Sequence, residues 1–102
     1  MQLILTVQSL NNGQYRFHIS ENDFNQIVPK LQGEQIYINL PGSDEDIEVA
    51  HNVFFNHQNL YSIEISNWII LNDYINWEYG NPFKLVFSLN NNIFNYYNNQ
   101  AH

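Results

Sequence analysis

The chain has 102 residues, no cysteine and a formal net charge of −7, from ten acidic and three basic residues. The lack of cysteine excludes disulfides, thiolate metal sites and thiol catalysis, and the negative charge disfavours binding to nucleic acids or anionic membranes. Hydrophobic residues make up 44% of the chain, yet no run approaches the ~18 apolar residues of a membrane span. We therefore expect one folded, cytoplasmic domain.

Two strongly apolar strands are predicted near opposite ends of the chain. Gln2–Gln8 is apolar on both faces, which is typical of a central strand. Pro82–Leu89 has phenylalanine or leucine at every second position, and the polar run Asn90–Asn92 follows it. We expect this late strand to pair with the start of the chain.

A hairpin and a helix are predicted to follow the first strand. Asn11–Gly13 supplies a turn, and Tyr15–Ile19 alternates as the second strand. Ser20 is a predicted N-cap, with acids in the first helical turn. Apolar residues at helical spacing come next: Phe24, Ile27, Val28 and Leu31. Pro29 is expected to kink this helix or to end it early.

The middle of the chain predicts a third strand over Glu34–Leu40 and then a helix over Ser43–Asn56. Ser43 is the predicted cap of that helix, and acids fill its first turn. Three apolar residues share one face of it: Ile47, Ala50 and Phe54.

The second half predicts a fourth strand over Leu60–Ser66 and a helix over Trp68–Tyr79 capped by Asn67. A strand over Trp68–Leu71 is the alternative, because tryptophan and isoleucine favour strands. Residues 93–102 are expected to form a partly ordered, Asn-rich tail that makes one helical turn or docks on a partner, with the last five residues frayed.

These elements predict an α+β fold in which residues 1–92 form a mixed sheet of about five strands, with the helices packed on one face. The opening segments MQLILTV and QYRFHIS resemble the start of ubiquitin-like β-grasp domains. Leu71–Tyr74 followed by FKLVFSL resembles their L-x-D-Y turn before the last strand. The resemblance implies a β-grasp sheet and a binding module. It does not imply conjugation, because the chain ends at Asn98–His102 without a Gly-Gly tail.

Four acids form the densest charge in the chain: Asp44, Glu45, Asp46 and Glu48. They are typical of a helix start, where acids complement the dipole, and equally of a contact surface for a basic partner. In the second interpretation the carboxylates mimic phosphates, and nearby aromatic residues anchor the partner. The candidate anchors are Tyr37, Trp77 and Tyr97.

A metal site is the weaker interpretation of the same region. On the predicted helix Asp44, Glu48 and His51 share one face, and their oxygen and imidazole groups suit a divalent ion. The alternative is surface histidines beside carboxylates. No phosphate-binding glycine loop, G-x-S-x-G or H-E-x-x-H motif is present, and we expect no cofactor.

The sequence therefore favours a small acidic, non-enzymatic protein that binds and inhibits a basic nuclease or nucleic-acid-binding protein. Immunity proteins and phage-encoded inhibitors of host defence nucleases act in this way. The alternative is a structural subunit or adaptor, homo-oligomeric or not, whose exposed aromatics carry the interface. A metal-dependent enzyme is a third, weaker hypothesis.

Overall fold

The computed structural model describes residues 2–33 and 35–98, and of Asn98 it describes the backbone alone. Within these residues seven strands, three α-helices and one 3-10 turn (Val28–Lys30) are formed. The strands are β1 (Gln2–Ser9), β2 (Tyr15–Ile19), β3 (Ile36–Asn39), β4 (Ile47–Val49), β5 (Asn59–Leu60), β6 (Lys84–Asn90) and β7 (Ile93–Asn98). The helices are α1 (Glu21–Ile27), α2 (His51–His57) and α3 (Ile63–Leu71).

The seven strands form one sheet in the order β4-β3-β7-β6-β1-β2-β5. Neighbouring strands are antiparallel, except that β3 and β7 are parallel. The two outermost strands approach each other, since the Ala50 N–H after β4 donates to the Tyr61 carbonyl after β5 at 3.4 Å. The sheet is therefore a nearly closed barrel.

The central position of β1 follows from its two apolar faces and its two neighbours. Leu3 lies opposite Phe87 of β6, so the predicted pairing of the chain's start with the late apolar strand is confirmed. Leu5 lies opposite Ile19 of β2, so the predicted hairpin is confirmed as well. All four side chains are buried, because alternate residues of each strand point into the barrel.

Aromatic side chains and helices cover both ends of the barrel. At one end, where α1 and α2 lie, the Phe54 ring is 5.9 Å from the Phe94 ring. At the other end α3 places Trp68 6.3 Å from Phe17 and 6.0 Å from Tyr96. The predicted β-grasp sheet of about five strands, with helices on one face, is therefore wrong.

The first helix follows the sequence closely. Ser20 caps it, with its Oγ accepting from the Asp23 N–H at 3.2 Å. α1 ends at Ile27, and Pro29 lies in the 3-10 turn that follows. The predicted early end at Pro29 is confirmed.

The helix predicted over Ser43–Asn56 is wrong in its first half. Residues 43–46 form a loop, Ile47–Val49 is β4, and α2 begins at His51. Ile47 and Val49 are buried with exposed Glu48 between them, which is the alternation of a strand. Pairing of these two β-branched residues with β3 outweighs the helical spacing of Ile47, Ala50 and Phe54.

The segment after Leu60 also differs from the prediction. The strand expected over Leu60–Ser66 is wrong, since Ser62 caps α3 and its Oγ accepts from the Ile65 N–H at 3.1 Å. The helix expected over Trp68–Tyr79 is confirmed only as far as Leu71, and the alternative strand there is wrong. Ile65 and Ile69, four residues apart, form the buried face of α3.

The helical turn expected after residue 92 is wrong, because residues 93–98 form β7. Asn91 and Asn92 have φ angles of 51° and 65° and make a two-residue hairpin turn. Asparagine tolerates this left-handed conformation better than most residues, so the Asn-rich run is a turn between strands. Residues 99–102 of the expected tail lie outside the described residues.

Candidate protein-binding site

The four acids of the predicted contact surface, Asp44, Glu45, Asp46 and Glu48, are all exposed and are called the acidic segment here. Three lie in the loop between β3 and β4, and Glu48 lies on β4. The loop begins with a tight turn, in which the Ser43 N–H donates to the Leu40 carbonyl at 3.0 Å. Gly42 has a φ of 85°, which the Pro-Gly pair of a type II turn requires.

Two side-chain hydrogen bonds hold the loop against its own backbone and β3. The Ser43 hydroxyl donates to the Glu45 carbonyl at 2.8 Å. Asn39 Nδ2 on β3 donates to Asp46 Oδ1 at 2.9 Å. The loop is therefore tied at both of its ends, while the side chains of Asp44 and Glu45 between them are exposed to water.

A third hydrogen bond joins the loop to α3. Trp68 Nε1 donates to the Pro41 carbonyl at 2.8 Å. Between the loop and the helix lies a groove of about 480 Å³, called the α3 groove here. Its walls include Pro41, Ile47, Glu64, Trp68 and Leu71. Acidic and apolar side chains thus lie next to one another at this end of the barrel.

Leu71 and Glu64 are the site residues that the sequence analysis missed. Leu71 is 83% exposed, although it is a leucine on the predicted helix, three residues after Trp68. The helix is turned so that Ile65 and Ile69 face the core, which leaves Leu71 on the groove. The isoleucine pair at i and i+4 was the signal that could have revealed this orientation.

Of the three predicted aromatic anchors, Tyr37 lies beside the acidic segment and Tyr97 lies one strand further away, on β7. Tyr37 is directly opposite Glu48 in the β3–β4 register, and its hydroxyl donates to Gln35 Oε1 at 2.9 Å. Tyr97 is 59% exposed on β7, the strand that runs parallel beside β3. It lies at the bulge between β6 and β7, toward the end of the barrel that carries the acidic loop.

The third predicted anchor, Trp77, belongs to an aromatic cluster elsewhere at the same end of the barrel. Its half-buried ring packs edge-on against Tyr15 and Phe83, at 6.3 Å from each. These partners lie on β2 and just before β6, away from β3 and β4. The structure therefore does not bring Trp77 beside the acidic segment.

The predicted metal set is not assembled as a helix face. Asp44 lies in a loop, Glu48 on a strand and His51 at the start of α2, where its ring is 4.6 Å from the Phe55 ring. Among residues 2–33 and 35–98, no three histidine, aspartate or glutamate side chains form a group that could hold a metal ion.

One titratable group near α3 has a shifted pKa. Burial raises the pKa of Tyr96 above its usual value of 10.0, and a hydrogen bond with Tyr74 raises it further. The Tyr74 ring lies 5.7 Å from Trp68. This tyrosine pair lies beneath the α3 groove, because Trp68 contacts both rings.

Comparison of the chain with protein-family models, curated protein sequences and solved structures gives no significant match. The resemblance to ubiquitin-like sequences is thus neither supported nor excluded by these comparisons. Even α3, with 9 residues the longest helix of the described part of the chain, is too short to cross a bilayer.

Proposed function

We propose that this protein binds a basic surface of another protein and blocks it, without catalysing a reaction. The acidic segment beside the apolar wall of the α3 groove carries the proposal. Exposed carboxylates attract a cationic partner over roughly a Debye length, and Leu71 offers an apolar contact once the surfaces meet. The charges raise the association rate and orient the partner, while the apolar contact slows dissociation.

The distribution of the three cations supports this assignment. Arg16 lies on β2, where its Nε donates to Gln8 Oε1 at 3.0 Å. Lys84 begins β6, and Lys30 ends the 3-10 turn. Among the described residues the acidic segment therefore faces water without a neighbouring lysine or arginine, which leaves its charge for a partner.

The proposed partner is a nuclease or another nucleic-acid-binding protein, because such proteins present lysine and arginine to phosphates. The acidic segment would occupy the phosphate-binding groove, as immunity proteins and phage-encoded inhibitors of defence nucleases do by analogy. A cysteine-free chain suits the reducing cytoplasm, where we place the interaction.

The test replaces all four acids of the segment with asparagine or glutamine. Partners captured from source-cell extract by the native protein are purified, and their affinity for both forms is measured against salt. We expect weaker binding and a flatter salt dependence for the variant, with little change in melting temperature. Equal affinities at every salt concentration would refute the proposal.

A matched control separates local charge from total charge. Asp44→Asn with Glu45→Gln removes two charges from the acidic segment, and Glu21→Gln with Asp23→Asn removes two from α1 at the opposite end of the barrel. Only the first pair should reduce affinity. Equal losses would mean that net charge, and not this surface, attracts the partner.

An adaptor that binds through exposed aromatic residues is the second candidate. The observation that favours it is the exposure of Tyr97 (59%) and Tyr79 (103%). Tyr97→Ala would then weaken binding more than neutralisation of the acidic segment, and affinity would be nearly independent of salt.

A further inference from the structure

The outer edge of β4 has free backbone hydrogen-bonding groups. Among the described strands β4 pairs with β3 alone, with Val49 opposite Ile36, and just after β4 the Ala50 N–H on this edge donates to the Tyr61 carbonyl at 3.4 Å, so that the free groups are those of Glu48. The Tyr37 N–H points to the other neighbour, β7, since it donates to the Asn92 carbonyl at 2.9 Å. Because backbone groups alternate along a strand, Ile47 and Val49 bond to β3. The N–H and carbonyl of Glu48 therefore point away from the sheet.

No strand lies along this edge within the described residues, and a cleft follows it instead. On its far side the chain runs from Tyr61 through Ser62 into α3. Near Ala50 the cleft is a cavity of about 320 Å³ whose walls include Glu48, His51 and Tyr61. The α3 groove is a separate depression whose wall includes Ile47, the residue before Glu48 on the side of the acidic loop.

We propose that this cleft binds an extended, basic segment of the partner, which pairs with the Glu48 backbone as an additional strand. This inference rests on the proposed function, because charge complementarity identifies the occupant. A lysine or arginine of the segment would lie beside Glu48 or Glu64, and an apolar side chain would contact Leu71. Unpaired strand edges recruit strands in this way, and side chains on either side set the specificity.

The same features disfavour a second copy of this chain as the occupant. Two copies joined edge to edge would bring Glu48 of each chain close to the acidic segment of the other. With a net charge of −7 on each copy, this contact is repulsive. A charged residue on a short edge strand prevents self-association and still admits a cationic strand.

The first test uses a blocked hexapeptide of alternating lysine and valine, and a control peptide with every backbone nitrogen methylated. Both peptides carry the same charge, but the control donates no backbone hydrogen bond. We expect the unmethylated peptide to shift the Glu48 amide resonance and slow its hydrogen exchange. We expect the control to bind at least about tenfold more weakly. Equal affinities, or an unmoved Glu48 resonance at saturation, would overturn the inference.

The second test compares Glu48→Gln with Glu48→Pro. Both remove the charge, and proline also removes the N–H that faces the cleft, a change that edge strands tolerate. The proline variant should bind the hexapeptide at least about fivefold more weakly than the glutamine variant. Equal binding of the hexapeptide by the two variants would overturn strand pairing. In the native protein, a Glu48 amide resonance that shifts when only the protein concentration changes would overturn it as well. If the proline variant does not fold, the methylated peptide decides.

These outcomes are separable from failure of the proposed function. Purely ionic docking would keep the salt dependence of partner binding and erase the difference between the two Glu48 variants. Loss of the salt dependence itself would refute the proposed function, whatever the Glu48 variants show.

Discussion

Trp68 donates its indole N–H to the Pro41 carbonyl at 2.8 Å, and this bond joins the helix α3 to the acidic loop. The two residues are 27 positions apart in sequence. On its other side the Trp68 ring packs against Phe17 and Tyr96 inside the barrel. The position of the acidic segment is therefore coupled to the packing of the core.

Removal of this hydrogen bond should loosen the loop. We predict that Trp68→Phe destabilises the protein by about 1–2 kcal/mol and speeds hydrogen exchange at the Ser43 amide, which bonds to Leu40 in the same turn. Trp77→Phe is the control, since Trp77 packs on Tyr15 and Phe83 instead. Denaturant unfolding and amide exchange measure both effects. Identical Ser43 exchange in the two variants would contradict the coupling.

Leu71 should matter for binding and not for folding. It is 83% exposed, so Leu71→Asn should change the free energy of unfolding by no more than about 0.5 kcal/mol. The same change should weaken partner binding about tenfold, because interface anchors commonly contribute more than 1 kcal/mol. Tyr79→Asn, also at an exposed position, is the control and should leave affinity unchanged. The reverse ranking would favour the adaptor hypothesis.

Asn92 should be the most sensitive residue of the β6–β7 turn. Its Oδ1 accepts from the Gln32 N–H at 2.8 Å, and its Nδ2 donates to the carbonyls of Gln32 and Gln35. Asn92→Ala loses these bonds and strains a left-handed position, so we predict a cost of about 2–4 kcal/mol. Asn92→Gly should recover about 1 kcal/mol of that cost, because glycine relieves only the backbone strain.

A control for this prediction lies one residue earlier. Asn91 is exposed and also left-handed, so Asn91→Gly should be neutral or slightly stabilising in the same denaturation experiment. If Asn91→Gly and Asn92→Gly have equal stabilities, the side-chain bonds of Asn92 contribute nothing.

Tyr96 should give the protein a loss of stability at high pH. Its pKa is raised in the folded state, so the folded protein keeps a proton that the unfolded chain releases near pH 10. The contribution of protonated Tyr96 to the free energy of unfolding is complete below the pKa of Tyr96 in the unfolded chain, and it is lost as pH rises through the pKa of Tyr96 in the folded protein. Titration of tyrosinate absorbance should show one group ionising above the others.

The hydrogen bond with Tyr74 can be tested separately from burial. In Tyr74→Phe we expect the pKa of Tyr96 to fall but to stay above its usual value, because burial is the larger cause. Tyr79→Phe, at a fully exposed position, should leave it unchanged. A Tyr96 pKa that is the same in all three proteins would contradict the assigned hydrogen bond.

Local pattern was sufficient where one periodicity dominates. The hairpin of β1 and β2, the apolar strand β6 and the Ser20 cap were predicted because a few consecutive residues decide each of them. It failed where two patterns compete. Ile47–Val49 alternates as a strand, while Ile47, Ala50 and Phe54 have helical spacing, and only the pairing with β3 decides between them.

β7 was missed because asparagine disfavours strands and only two neighbouring strands make this one stable. The features of the candidate site also divide into those that the sequence determines and those that depend on tertiary structure. Sequence alone determined that four acids are clustered and that they face water, since isolated carboxylates are not buried. Tertiary structure decided that they flank a groove on α3 and an unpaired edge of β4. Folding of the barrel brings together segments more than twenty residues apart, such as Pro41 with Trp68 and β3 with β7, and no local pattern encodes such contacts.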